Sequence, residues 1–239
     1  MSPLEFSVII PARDEERLIA GCLSSIRTAA ADYSGQLEVI VVLNRCSDRT
    51  EEIARSSGAR TITENAKNLA RIRNAGARSA VGEVLVTIDA DSRMSPDALV
   101  AIDQALSSGT TVGGGTTIRP ERFSAGIHAT LWVFNFFVRI CGISCGMFWC
   151  YRRDFESIGG FDESLVSAED LDFARRLKAR GKRVQRPFST LPGAYIVTSC
   201  RKFDAYGDWC VFRKPLLVSS LFKGRNQADA DSFYYDFEQ

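Results

Sequence analysis

Val84-Leu85-Val86-Thr87-Ile88-Asp89-Ala90-Asp91 decides how this chain is read. Its first five residues are aliphatic or β-branched without polar alternation, the composition of a strand covered on both faces of a sheet. Two carboxylates then stand where the strand leaves the sheet, and Ser92-Arg93-Met94-Ser95-Pro96 follows. In open α/β sheets, ligands bind beyond the carboxyl ends of the strands. Residues i and i+2 of an extended segment share a side, so Asp89 and Asp91 can face one hard cation carrying a diphosphate. A solvated turn explains the pair equally well on its own, because Asp is common after strands. The rest of the chain tips the balance.

The same kind of run recurs upstream. Phe6-Ser7-Val8-Ile9-Ile10 reads as a strand ending at Pro11, and Glu15 to Thr28 as a helix with Leu18, Ile19, Cys22, Leu23 and Ile26 at helical spacing. Leu37 to Leu43 is a second buried strand. Ser47 and Asp48 are positioned to cap a helix through about Ser57, with Asp48 and Glu51 at capping-box spacing. Arg60 to Thr63 is a short strand, and Asn68 caps a helix over Leu69 to Ala80. Ser95 as N-cap and Pro96 as first helical residue open a helix that ends near Gly109. This alternation predicts an α/β fold: a doubly wound, mostly parallel sheet with right-handed crossovers and helices on both faces.

The second half is less regular. Thr111 to Ile118 carries Gly113-Gly114-Gly115 inside a β-type pattern, as if another backbone or a ligand approaches closely. A strand is expected at Met147 to Tyr151, and one helical turn from Phe155 to Ile158 closing at Gly159-Gly160. A helix is expected from Leu171 to Arg180, with Gly181 at its C-terminal side. The tail from Asn226, polar and then aromatic, receives no assignment.

Ile127 to Tyr151 is long and apolar enough for a membrane span on length alone. It contains Arg139 near its centre together with His128, Asn135, Gly142 and Gly146, which argue against a span. A helix that is buried or partly exposed is the first reading, and a surface-lying amphipathic helix the second. In the second case Trp132, Phe134, Phe136 and Phe137 would form a lipid-facing or homodimer surface through residues 127–140. His128 is read as packing on its own helix.

Composition removes several function classes. A formal net charge of +1, with no basic run, gives nucleic acid no footprint. Seven scattered cysteines without a CxxC pair suggest reduced thiols, and a single histidine argues against a zinc site. Met1 to Glu5 shows neither a basic nor an apolar leader region, so a cytoplasmic location is expected, peripheral at a membrane in the amphipathic-helix case.

Five segments then fall in order: Val8-Ile9-Ile10-Pro11-Ala12-Arg13-Asp14-Glu15-Glu16; Asn44-Arg45-Cys46-Ser47-Asp48-Arg49-Thr50; Arg73-Asn74-Ala75-Gly76; Asp89-Ala90-Asp91; and Gly159-Gly160-Phe161-Asp162-Glu163 leading to Glu169-Asp170. Over roughly the first three quarters of the chain they resemble the family 2 glycosyltransferases with the GT-A fold. The resemblance implies one GT-A domain over 1–239, with a Rossmann-like nucleotide-sugar-binding half (1–110) and an acceptor-binding, catalytic-base half (111–239). It implies a UDP- or GDP-sugar donor, a sugar or lipid-linked acceptor, Mg2+ or Mn2+, and inversion at the anomeric carbon. Pro11, Ala12, Arg13 and Glu15 would line the nucleoside pocket and Asp48 would read the base edge. Asn44 stands where many members carry Asp. Arg73 matches a basic residue near the nucleotide; Asp89 and Ala90 precede the metal-binding Asp91, with Asp89 a second candidate ligand. Asp170 matches the proposed base, beside Glu169. Gly146, Met147, Trp149, Gly160, Phe161, Asp162 and Glu169 are expected on the acceptor side.

The chemistry suits these residue types. A nucleoside diphosphate leaves with large negative charge, which a divalent cation on one or two carboxylates neutralises. An acceptor hydroxyl must lose its proton during attack, and a carboxylate can take it. Asp170, near a helix N-terminus, would be held in its charged form there. One departure stands out: many metal-dependent members supply a third ligand, often His, after the base, and no histidine follows His128. Arg201 and Lys202 could contact the diphosphate in a closing loop, or simply start a helix as solvated charges. Two other functions fit the same sheet: a sugar-nucleotide nucleotidyltransferase, and a non-catalytic sugar- or lipid-binding module. The first is disfavoured because the loop after the first strand is acidic and lacks glycine.

Overall fold

The apolar runs read from the sequence become the centre of a sheet. In the computed structural model, which describes residues 4–213, β1 (Phe6–Ala12) is buried at every position. It lies parallel between β2 (Leu37–Leu43) and β4 (Val84–Thr87), with Phe6 in register with Leu37 and Val84. β3 (Arg60–Thr63) extends this parallel set beyond β2. Successive side chains of β1 face opposite layers, as the pleat requires. Val8 and Ile10 pack with Ile19, Leu23 and Ile26 of α1 (Ile19–Ala30) and Leu99 and Ile102 of α4 (Ala98–Ser107). Ile9 packs the other way, with Ile72 of α3 (Leu69–Ser79) and Phe173 and Leu177 of α7 (Glu169–Arg183). Each such fully buried aliphatic side chain contributes roughly 1.5–3 kcal/mol.

The sheet continues past β4 with mixed directions, and among the described residues its order is β3-β2-β1-β4-β7-β6-β8-β5. β7 (Phe148–Tyr151) runs antiparallel to both β4 and β6 (Gly113–Pro120). β8 (Phe188–Thr198) is parallel to β6 and antiparallel to β5 (Ser92–Met94). The three glycines of β6 are explained by neighbouring backbone. A Cβ on Gly114 would collide with the Ser189 carbonyl of β8, and one on Gly115 with Ser144. The close approach is protein on protein.

The remaining elements are α2 (Thr50–Ser56), α5 (Ala125–Cys141), α6 (Arg152–Ser157), α8 (Arg201–Tyr206) and α9 (Cys210–Arg213). Asn68 caps α3 as expected, its side chain accepting from the Arg71 amide. Other boundaries differ. α1 starts at Ile19, because the Leu18 and Ile19 amides donate to the Glu15 carbonyl in a turn that precedes it. α2 has Arg49 at its N-cap, and Asp48 accepts instead from the Thr50 amide and hydroxyl and from the Glu16 amide. Ser95 does not cap α4, whose N-cap is Asp97. The Ser95 hydroxyl accepts from the Tyr195 amide and so joins β8. Helix α7 runs through Gly181 to Arg183, and the glycine there makes room for the Arg186 carbonyl. Strands β5 and β8 were not expected, since Pro192-Gly193 interrupts the β8 pattern.

The apolar segment is settled as helix α5, capped by Ser124 and ended by Gly142 at φ 57°. Ile127 is buried, while Trp132, Val133, Phe136 and Ile140 are exposed, so the partly exposed reading holds. His128 rests against Phe123. Among the described residues no helix is long and apolar enough to cross a membrane. All seven cysteines are free thiols. The tail from Asn226 lies outside the described residues.

Candidate functional site

The carboxyl ends of β1, β2 and β4 lead into one cleft that is open to solvent. The chain leaves β1 through Asp14 (φ 49°) and β2 through Arg45 (φ 53°), both in a left-handed conformation costly for these residues. Pro11, Ala12, Arg13, Glu15, Asn44, Asp89, Ala90, Asp91, Glu169, Arg201 and Lys202 all line this cleft. Eleven residues singled out across the sequence therefore meet in one place. Leu69, Ile72 and Val166 add apolar wall that sequence reading missed, since each reads as ordinary core.

At one side of the cleft, Asp91 is partly buried beside Asp89. Burial, and then the Asp89 charge, push its carboxyl above the ordinary carboxylate range, against the pull of Arg201 and Lys202. Arg201 at the start of α8 makes a paired contact to Glu15 at 2.5 and 3.0 Å, and lies 3.6 Å from Asp91. Burial lowers the Lys202 amine, with Asp91 and Asp89 opposing. Two carboxylates that repel one another beside cations suit a hard divalent ion, and the oxygen donors are those Mg2+ or Mn2+ prefers. Asp14, Cys46 and Asp48 form another acidic group, within 4.8 Å of one another. Asp14 there accepts from the Ser47 amide and Asp48 from Thr50 and Glu16, so that group reads as a turn lock.

At the other side Glu169 lines the cleft from the first turn of α7, and Asp170 follows it in that turn without lining the cleft. Asn74 of α3 sets their approach: its side chain donates to the Phe161 carbonyl and accepts from the Phe161 amide, fixing the turn at Gly160 (φ 66°). The two sides are joined by Arg73 of α3, only 4% exposed. Its guanidinium donates to Asp89 at 2.8 Å, to Glu169 at 2.9 Å and to Asp170 at 2.5 Å. Burial works against the Arg73 charge, but Asp170, Asp89 and Glu169 outweigh it and raise its proton affinity. Burial likewise drives Asp170 up, to about 7; Arg73 opposes, while Glu169 and Asp89 add to the rise. Arg73 thus lies buried among the three carboxylates and bridges them.

A second cavity of about 390 Å³ shares Asp89 with the first. Gly146 and Met147 line it, with Arg73, Cys145, and Ile118, Ile196 and Thr198 from β6 and β8. The β8 residues were missed because that strand was. Four residues expected on the acceptor side line neither of these cavities. Trp149 is fully buried in the sheet, its indole N–H donating to the Gly115 carbonyl at 3.3 Å. Phe161 is buried against Phe173 at 4.3 Å between ring centres. Asp162 faces solvent and accepts from Ser164. Gly160 borders neither cavity; it lies in a third, with Asn74 and Phe155. On the donor side, Asp48 does not line the cleft. Asn44 lines it, but its amide nitrogen already donates to the Glu64 and Ala66 carbonyls.

A mixed, mostly parallel sheet with paired aspartates at the β4 exit defines a protein of the GT-A type. Residues 7–155 match the model of glycosyl transferase family 2, and the chain belongs to that family. It is 27% identical over 161 residues to the undecaprenyl-phosphate 4-deoxy-4-formamido-L-arabinose transferase of Edwardsiella ictaluri, a match covering 63% of this chain and 49% of that protein. The chain thus spans about half the length of this curated relative. Among solved structures it resembles S. aureus TarS 1-349 in complex with UDP-GlcNAc, at TM-score 0.65 and 18% identity over 98% of this chain and 71% of that one. It also resembles the mannosyltransferase PcManGT of Pyrobaculum calidifontis in complex with GDP-Man and Mn2+, at TM-score 0.66 and 21% identity over 90% and 65%.

Proposed function

We propose that this chain is an inverting glycosyltransferase, moving a sugar from a nucleoside diphosphate sugar to an acceptor hydroxyl, with Asp170 as general base. The observation that carries this reading is the single cleft shared by Asp91 and Glu169, with Asp170 tied across it through Arg73 to Asp89. The nucleoside would lie over Pro11, Ala12 and Arg13, and the diphosphate toward Asp91, Arg201 and Lys202. Asp91 and Asp89 would hold Mg2+ or Mn2+, which when bound neutralises the departing diphosphate. The acceptor hydroxyl gives its proton to the Asp170 carboxylate, and its oxygen bonds to the anomeric carbon. The bond from that carbon to the diphosphate oxygen breaks, and the electron pair leaves with the nucleoside diphosphate. Attack opposite the leaving group, with no protein nucleophile, inverts the centre.

The donors named with the structural relatives, UDP-GlcNAc and GDP-Man, support a UDP- or GDP-sugar, and the Mn2+ supports a divalent ion. The undecaprenyl-phosphate named in the curated relative supports a lipid-linked acceptor. The exposed Trp132, Val133, Phe136 and Ile140 of α5 support peripheral contact with the membrane holding it, since Trp and Phe favour that interface. We read 1–239 as one domain, its halves meeting at the cleft.

Two variants test the assignment. Asp91→Ala should abolish metal-dependent donor binding in calorimetry. Asp170→Asn should keep donor binding and lose transfer by roughly 100-fold or more, the usual contribution of a general base. Full transfer by Asp170→Asn would remove it from that role.

A further inference from the structure

One buried guanidinium serves three acids here, and they belong to opposite sides of the proposed reaction. Arg73 holds Asp89, of the cation-binding pair, with one nitrogen, and Glu169 and Asp170 with the other. Its Nε is buried without a hydrogen-bond partner, so its side-chain hydrogen bonds go to these three acids, with the Phe161 ring 5.3 Å from the guanidinium carbon. A single positive charge cannot satisfy three carboxylates equally in a low-dielectric setting. When one finds another partner, the remaining two receive more of it. Asp89 is the acid free to leave, because its side chain is 50% exposed and lines the cleft, whereas the Asp170 side chain is 33% exposed and that of Glu169 only 7%.

We propose that Arg73 is a positioning residue that makes the base answer to the donor: when Asp89 turns from Arg73 to a divalent cation and its diphosphate, the guanidinium settles on Asp170 and Glu169, and Asp170 is then held charged and aimed at the acceptor. The inference rests on the reading of Asp170 as base. The charged and titratable groups facing Asp170 are Arg73 from α3, Asp89 after β4, Glu169 in its own turn, and Cys145 before β7. Burial and then Asp170 push the Cys145 thiol up to about 12, so it stays neutral, and Arg175 opposes that rise. Of these groups Arg73 alone donates to Asp170. A protein without donor would therefore keep a substantial share of its base protonated near neutrality, and full hydroxyl activation would wait for the donor.

The test reads the base directly. In wild-type protein with carbon-13 in the aspartate carboxyls, the Asp170 signal is assigned by its loss in Asp170→Asn and titrated with and without Mg2+ plus UDP or GDP. The midpoint should fall by at least one pH unit on addition of the metal and nucleotide. An unchanged or raised midpoint overturns the proposal. In Arg73→Gln the fall should disappear, and the acid limb of kcat should move to higher pH by at least one unit, with transfer recovering at alkaline pH. A loss of equal size at every pH would mean that Arg73 only supports the fold, and would also overturn it. If Arg73→Gln does not fold, Arg73→Lys, which keeps the charge without the fork, should show a smaller displacement in the same direction, and no displacement counts against the proposal. Full transfer by Asp170→Asn, by contrast, would sink the assignment of the base itself.

Discussion

Two pairs of acids, Asp89 with Asp91 and Glu169 with Asp170, come from opposite halves of the chain and are joined through Arg73; Asp89, Asp91 and Glu169 line the cleft, and the surroundings of the two pairs differ in kind. Asp91 has two cations nearby, Arg201 and Lys202, on a segment that reaches it from the far end of β8. Asp170 shares one cation with two other acids and lies in a partly buried helical turn. The first arrangement suits an anionic ligand brought in with a metal. The second suits a carboxylate that keeps a proton until its task begins. Identical side chains are divided between two roles by burial and by who else claims the nearest positive charge.

The largest effect that would sharpen this contrast is in the pH profile. With a carboxyl at about 7 in the free protein, Asp170 is protonated below that value and cannot accept a proton. kcat/KM for the donor, which reports the free protein, should therefore drop about tenfold per pH unit below 7 and level off above it. A profile flat from pH 5 to 8 would erase the difference between the two acid pairs. The sign for stability is opposite. A carboxyl raised in the folded state adds stability that is fully present below its unfolded value near 3.9 and is lost as pH rises through about 7.

A smaller effect is expected on the cation side. Arg201→Ala removes a charge 3.6 Å from Asp91 and the partner of Glu15. Affinity for UDP or GDP with Mg2+ should weaken by roughly tenfold, in line with about 1.5 kcal/mol for a charged hydrogen bond, and the pH limb should stay in place. Calorimetry at two pH values checks both halves of that statement. Movement of the limb would show that the two acid pairs are not separable in the way drawn here.

How much of this could be read beforehand follows the same division. The parallel half was legible because Phe6–Ile10, Leu37–Leu43 and Val84–Ile88 are nearly continuous apolar runs, broken only by Ser7, Glu38 and Thr87, of the kind a sheet covered on both faces buries. The mixed half was not, because β8 combines Pro192 and Gly193 with half-buried positions, and β5 is only three residues long. The donor residues follow strand ends and can be found by local pattern. Asp170, Arg73 and Asp89 are 97 and 16 residues apart, and only the fold could reveal that they share hydrogen bonds. Trp149 and Phe161 show the converse: both flank the right motifs, yet their side chains are needed in the core.

The smallest effect on the fold should come from α5, and there the contrast is between packing and exposure. Trp132 is 70% exposed and stacks on Phe136 of its own helix, at 6.0 Å between ring centres. Replacing both by Ser removes little that the folded protein buries, so stability to denaturant should change by less than about 0.5 kcal/mol for each. Donor binding should also be untouched, since neither residue lines the cleft. What should fall is co-sedimentation with anionic phospholipid vesicles, and with it transfer to a membrane-embedded acceptor, while transfer to a detergent-solubilised acceptor persists. If vesicle binding survives and the protein instead changes from dimer to monomer in sedimentation, the exposed face belongs to a second copy of the chain. If stability drops by several kcal/mol, these aromatics pack far more tightly than their exposure indicates.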